Sequence, residues 1–174
     1  MKARGTILET VCGLALVLFA WPPCAAGQQA DLQTRFDRES NAVRKAKLLE
    51  KLGEAQFEAV RQAEKAGDNS AAGLTLEKYR NNVRAALEAL KKQHPNAEKQ
   101  PNGYRQLEIQ ARKGIREIGE SLLVAPEPFK PPLEIVREDL AAMDDELLKL
   151  LFPNRPLNKK AANTPPPEKQ PRAS

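Results

Sequence analysis

An all-α fold follows from three observations. Apolar residues recur at steps of three and four in four long segments between residues 40 and 152. Gly67-Asp68, His94-Pro95, the stretch 125–132 and Phe152-Pro153 punctuate those segments with helix stops. No segment alternates with period two in β-branched residues, as a half-buried strand would. The expected architecture is an antiparallel bundle of about four helices, built from helical hairpins. With 174 residues, a single folded domain is the expectation. It should span residues 28–152, between a signal peptide at 1–27 and a disordered Pro-rich basic tail at 153–174.

The leader is read from its three-part layout. Lys2 and Arg4 give a positive start, Val11 to Trp21 is an apolar run, and small residues follow Pro22-Pro23 as Cys24-Ala25-Ala26-Gly27. That is the pattern of a cleaved export signal. The run has 11 residues, short of the roughly 20 that cross a bilayer. Cleavage near Ala26 or Gly27 places the chain in the periplasm or outside the cell, with no transmembrane helix in the mature chain. Trp21-Pro22-Pro23 does not resemble the residues that precede a lipidated Cys24. Cleavage also removes Cys12 and Cys24, so the mature chain is expected to rely on packing rather than a disulfide.

The first helix is expected from Ser40 to Ala66, capped by Ser40 or Asn41. Its stripe includes Val43, Ala46, Leu49, Leu52, Phe57, Val60 and Ala63. Gly53 lies inside it, costs about 1 kcal/mol relative to Ala, and permits close approach of a neighbour. Residues 28–39, with Leu32 and Phe36 on one face, are read as an extension of this helix. Gly67 suits the left-handed position after a helix end, and Asp68 or Ser70 suits the next cap. The second helix, from about Ala71 to Gln93, carries Ala72, Leu76, Tyr79, Val83, Ala86 and Leu90. Pro95 ends it by disfavouring helix at His94.

Residues 95–102 form the longest internal connection. The third helix, from Gly103 to Val124, lines up Tyr104, Leu107, Ala111, Ile115, Ile118 and Leu122. Gly114 and Gly119 make it the least stable helix by propensity. Ala125 to Pro132 reads as a rigid linker. The fourth helix starts near Pro132, which the first turn tolerates, and its stripe is Leu133, Val136, Leu140, Met143, Leu147 and Leu150. The second helix is net +3 and the fourth net −4, so these two are expected to be neighbours.

The hairpin around Gly67-Asp68 resembles one tetratricopeptide-type unit in Leu52-Gly53, Gly67-Asp68, Ala72 and Tyr79. The likeness spans about 40 residues. Gly53 to Gly67 is longer than that repeat allows, and no second copy follows at a period of 34, whereas a solenoid needs several. No family is assigned from it.

The formal charge of +5 first suggests a polyanion partner, but all of it lies outside the folded segment, +1 in the leader and +4 in the tail. Residues 28–152 carry 21 basic and 21 acidic side chains, while the tail is net +4 through Arg155, Lys159, Lys160, Lys169 and Arg172 against Glu168. Such a tail buries too little to offset its ordering entropy. It is expected to be a solubilising segment, with weak contact to anionic envelope material as the alternative. With few aromatics and a neutral body, nucleic acid is not an expected partner. Arg80, Arg84, Lys91 and Lys92 read as a solvated strip.

Catalytic groupings are sparse. The only histidine, His94, sits where a cation would suit a helix C-terminus, and a serine triad would need a glycine-flanked serine that is not there. One His and no mature Cys do not make a zinc set. Asp144-Asp145-Glu146 with Glu138 could hold calcium only if the side chains converged, but consecutive helical residues diverge by about 100°. No catalytic, cofactor-binding or metal residue is assigned. The expected protein is an exported, non-enzymatic helical binder or scaffold of a bacterial-type envelope. A self-associating structural protein is the alternative, and an enzyme using Glu138 and Asp144 is a third.

Overall fold

The computed structural model describes residues 24–153, which form five helices and one short 3-10 turn. The helices are α1 (Cys24–Arg38), α2 (Ala42–Lys65), α3 (Asn69–Gln93), α4 (Pro101–Val124) and α5 (Lys130–Leu151). Most of the expected signal segment and nearly all of the expected tail lie outside the described residues. The all-α bundle expectation holds, with five helices in place of about four.

The extra helix is α1. Residues 28–39 do not continue α2. The chain turns at Glu39-Ser40-Asn41, where the Asn41 side chain caps α2 by accepting from the Arg44 backbone N–H at 2.9 Å. Glu39 accepts the Asn41 N–H at 2.8 Å. From α3, Gln93 accepts from the Ala42 N–H at 2.9 Å and donates to the Ser40 carbonyl at 2.6 Å. The corner therefore has every polar group it needs to break a helix without Pro or Gly. α1 starts at Cys24, inside the segment assigned to the leader, and buries Leu32 and Phe36.

The α2–α3 turn follows its sequence signal. Gly67 has φ +76°, and Asp68 N–H bonds to Ala63 O while Gly67 N–H bonds to Glu64 O, the pattern of a Schellman motif. Asp68 then caps α3 through the Ala71 N–H. Two boundaries shift by a turn or less. α4 begins at Pro101 and α5 at Lys130, each with proline in its first turn. Part of the expected linker is the 3-10 turn Glu127–Phe129.

The arrangement corrects the expectation of an antiparallel bundle throughout. Helices are antiparallel within the hairpins α2–α3 and α4–α5, but the hairpins lie side by side with like helices parallel. Glu54 pairs with Lys113 and Arg61 with Glu117 along α2 and α4. Arg80 and Arg84 pair with Asp139, and Lys91 with Glu146, along α3 and α5. The backbones of α2 and α5 nowhere come within 8 Å of each other. The connection 94–100 produces this order by carrying α4 back to the start of α2, where Gly103 lies against Leu90 and Val43. α1 adds a layer against α2. The expected proximity of the basic and acidic helices, now α3 and α5, is met by those ion pairs. A second hairpin thus follows the first, but its Gly114 stands 61 positions after Gly53, far from a period of 34.

The centre of the stack is Tyr79. Its ring lies against Gly53 of α2 and Gly114 of α4; a Cβ at either would come within 2.9 Å or 2.4 Å of a ring carbon. Its hydroxyl donates to the Gln110 carbonyl at 2.7 Å. Phe57 packs on it with ring centroids 4.6 Å apart. Three helices converge on one phenol ring because two glycines leave the space for it.

Candidate functional site

The acidic residues of α5 separate rather than gather. Asp144 turns to Arg112 of α4 at 3.4 Å, Glu146 turns to Lys91 of α3 at 2.9 Å, and Asp145 and Glu138 are exposed. Asp139 is held between Arg80 at 2.8 Å and Arg84 at 3.2 Å. This divergence is the helical geometry at work. No group of three or more His, Cys, Asp or Glu side chains that could hold a metal occurs among the described residues. Burial pushes the Asp144 carboxyl above its ordinary range, and the neighbouring Arg112 only partly offsets this.

His94 caps the end of α3 and its carbonyl accepts the Tyr104 hydroxyl at 2.8 Å. Among the described residues no acid or nucleophile bonds to its side chain, and Nε2 has no hydrogen-bond partner. The residue thus closes a helix end and anchors α4. Lys91 belongs to two ion pairs, with Glu88 at 3.2 Å and Glu146, which hold its ammonium above the usual lysine range. With Arg80 and Arg84 it ties α3 to α5, so the strip read as solvated is in large part structural.

The notable surface feature lies elsewhere, between α1 and α2. An open groove of about 630 Å³ is lined by Leu32, Arg35, Arg38 and Glu39 of α1 and by Arg44, Lys47, Leu48 and Lys51 of α2. Five cations stand over a floor of leucine. The one acid, Glu39, is engaged by the Asn41 N–H and by Arg44 at 3.2 Å, and these partners hold its carboxyl below the ordinary range. Arg38, Lys47 and Lys51 have no ion-pair partner among the described residues, and all three are exposed. An anionic or acidic partner with an apolar edge is what this chemistry accepts.

Sequence reasoning missed the groove. Charges summed over 28–152 cancel, and a reading of 28–39 as a continuation of α2 hides the corner that folds its cations beside those of α2. Once α1 folds back on α2, residues separated by a corner share one wall. The available signal was the pair of spacings Arg35-Arg38 and Arg44-Lys47-Lys51, each on one helix face.

A second, smaller depression of about 220 Å³ lies between α2 and α4, where Phe57 and Val60 sit below Arg61, Glu64, Glu117 and Glu120. Arg61 already bridges Glu58 and Glu117 at 3.0 Å each, which leaves no unpaired cation among the described residues that line the depression. No helix among the described residues is long and apolar enough to cross a membrane. No protein-family model, no curated protein and no solved structure matches the chain.

Proposed function

We propose that the chain is an exported, non-enzymatic helical protein that binds or scaffolds a partner in the cell envelope through the α1–α2 groove. The observation that carries the reading is the groove itself, where Arg38, Lys47 and Lys51 are exposed and form no ion pair among the described residues, beside an apolar floor. The charge-run-apolar-run-small-residue layout of the first 27 residues supports export, and cleavage near Ala26 or Gly27 leaves Leu32 and Phe36 to hold α1 in place. The Pro-rich, net +4 composition of 153–174 favours a solubilising role for that segment.

Fractionation with N-terminal sequencing tests the location. A processed chain beginning after Ala26 or Gly27 in an envelope or extracellular fraction is expected, and an unprocessed cytoplasmic chain rejects export. Crosslinking in intact cells tests the binding surface. A crosslinked species that disappears on Lys47→Glu with Lys51→Glu, while helicity is retained, is expected; a species indifferent to that change places the activity on another surface. Self-association is the second reading, favoured by the opposite charges on the two sides of the α2–α3 hairpin.

A further inference from the structure

We infer that copies of this chain stack head to tail, the basic α1–α2 groove of one receiving the acidic outer face of α5 of the next. This rests on the groove being a binding surface and names its occupant. The charge of α5 is divided by direction. Asp139, Asp144 and Glu146 face inward and are paired with Arg80, Arg84, Arg112 and Lys91. Glu134, Glu138 and Asp145 face outward, are exposed, and carry no ion pair among the described residues. Exposed Ile135 lies beside them and supplies an apolar edge for the leucine floor of the groove.

The spacings match. Arg44, which also pairs with Glu39 at 3.2 Å, and Lys51 stand seven residues apart on α2, and Glu138 and Asp145 stand seven apart on α5. Each pair spans two turns, about 10 Å, on one face. The groove carries five cations against Glu39; the exposed side of α5 carries three acids and two cations, Arg137 and Lys149, so the acidic contact is centred on Glu138 and Asp145. Inside the molecule, α4 packs against both α2 and α3, and a helix set between α1 and α2 would extend the same layering by one member.

The two surfaces lie on opposite sides of the α2–α3 hairpin, since α1 packs on α2 and bonds to Asn82 of α3, and neither the α1 nor the α2 backbone comes within 8 Å of that of α5. The contact is therefore heterologous. Each copy in a pair keeps one groove or one α5 face unused, so growth continues unless the rotation closes a ring. Exposed ion pairs are individually weak and screened by salt, which makes the assembly strongly dependent on concentration and ionic strength.

Sedimentation of the full processed chain tests this. A sedimentation coefficient that rises with concentration in low salt and returns to the monomer value in high salt is expected. Two variants then read the geometry: Lys47→Glu with Lys51→Glu in the groove, and Glu138→Lys with Asp145→Lys on α5. Each alone should remain monomeric, because the groove variant leaves three cations against three acids within its groove and the α5 variant sets cations against cations. Their equimolar mixture should associate again, at least as pairs, because the unaltered groove of one variant meets the unaltered α5 face of the other. A wild-type chain monomeric at every concentration in low salt, or a mixture that fails to associate, overturns the proposal. A helical peptide with Glu on one face of an Ala background separates the two levels. Saturable binding lost in the groove variant, with a monomeric wild type, overturns stacking but keeps the groove as a binding surface. Loss of both overturns the groove reading as well.

Discussion

Tyr79 shows how one side chain can close two hairpins. Its hydroxyl bonds to a main-chain carbonyl in α4, while its ring is fully buried between α2 and α4. Burial pushes the phenol well above the ordinary tyrosine range, and Glu117 and Glu54 add to the effect, so the group stays neutral and donating. Tyr79→Phe removes one buried hydrogen bond and should cost about 1 kcal/mol. Tyr79→Ala also leaves a ring-sized void and should cost about 3–5 kcal/mol. Urea unfolding of both variants checks the order: near-equal losses would mean that the hydroxyl, not the ring, carries the stability. Asp144 offers a pH test. Its folded carboxyl titrates above the ordinary aspartate range because of burial. The folded state therefore binds the proton more tightly than the unfolded chain, and this contribution is present below the unfolded pKa. It is lost as pH rises through the folded one. Asp144→Asn should thus gain stability relative to wild type as pH rises from about 3 to about 6. Thermal unfolding across that range measures it, and a difference that stays flat or falls would contradict the burial effect.

The glycines of α4 separate element-level propensity from packing. Gly119 has nothing within 4 Å of a Cβ position, whereas at Gly114 a Cβ would meet Tyr79 at 2.4 Å and Leu140 at 2.9 Å. Gly119→Ala should stabilise by about 0.4–1 kcal/mol. Gly114→Ala gains the same helix propensity but must displace a buried ring, and should lose about 1–3 kcal/mol net. Opposite shifts in unfolding midpoint are the expected outcome, and equal gains would contradict the packing at Tyr79. Propensity alone treats these two positions alike. The stripes of α2 to α5 were legible because periodicity reports which face of a helix is buried. The same periodicity carries no information on which neighbour covers that face, so parallel hairpins were not legible while the Gly67-Asp68 turn was. α1 was hidden because its boundary is drawn by Asn41, Glu39 and Gln93, the last contributed from 51 positions away along the chain.

At the scale of the whole molecule, charge and stability are both unevenly distributed, and sequence totals conceal each. A neutral sum over 28–152 hides a basic groove on one side and an acidic helix on the other. Stability follows the layering. α2 to α5 share the core around Tyr79, whereas α1 is attached through Leu32 and Phe36, a Lys45 ammonium 4.8 Å from the Phe36 ring, and a reciprocal amide pair between Gln33 and Asn82 at 3.1 Å. A layer with two large apolar anchors should open locally at much lower free energy than the core. Native-state hydrogen exchange is therefore expected to show amides of residues 28–38 exchanging well before those around Tyr79 and Leu107. Phe36→Ala should widen that gap, removing a buried ring from α1 at about 3–5 kcal/mol, while leaving exchange around Leu107 little changed. If protection fell equally in α1 and α4, α1 would be part of one cooperative unit. If it fell only in α1, half the walls of the groove would rest on a separable helix. The groove then becomes a surface whose availability is set by the docking of α1, and Phe36→Ala should weaken association and α1 protection together.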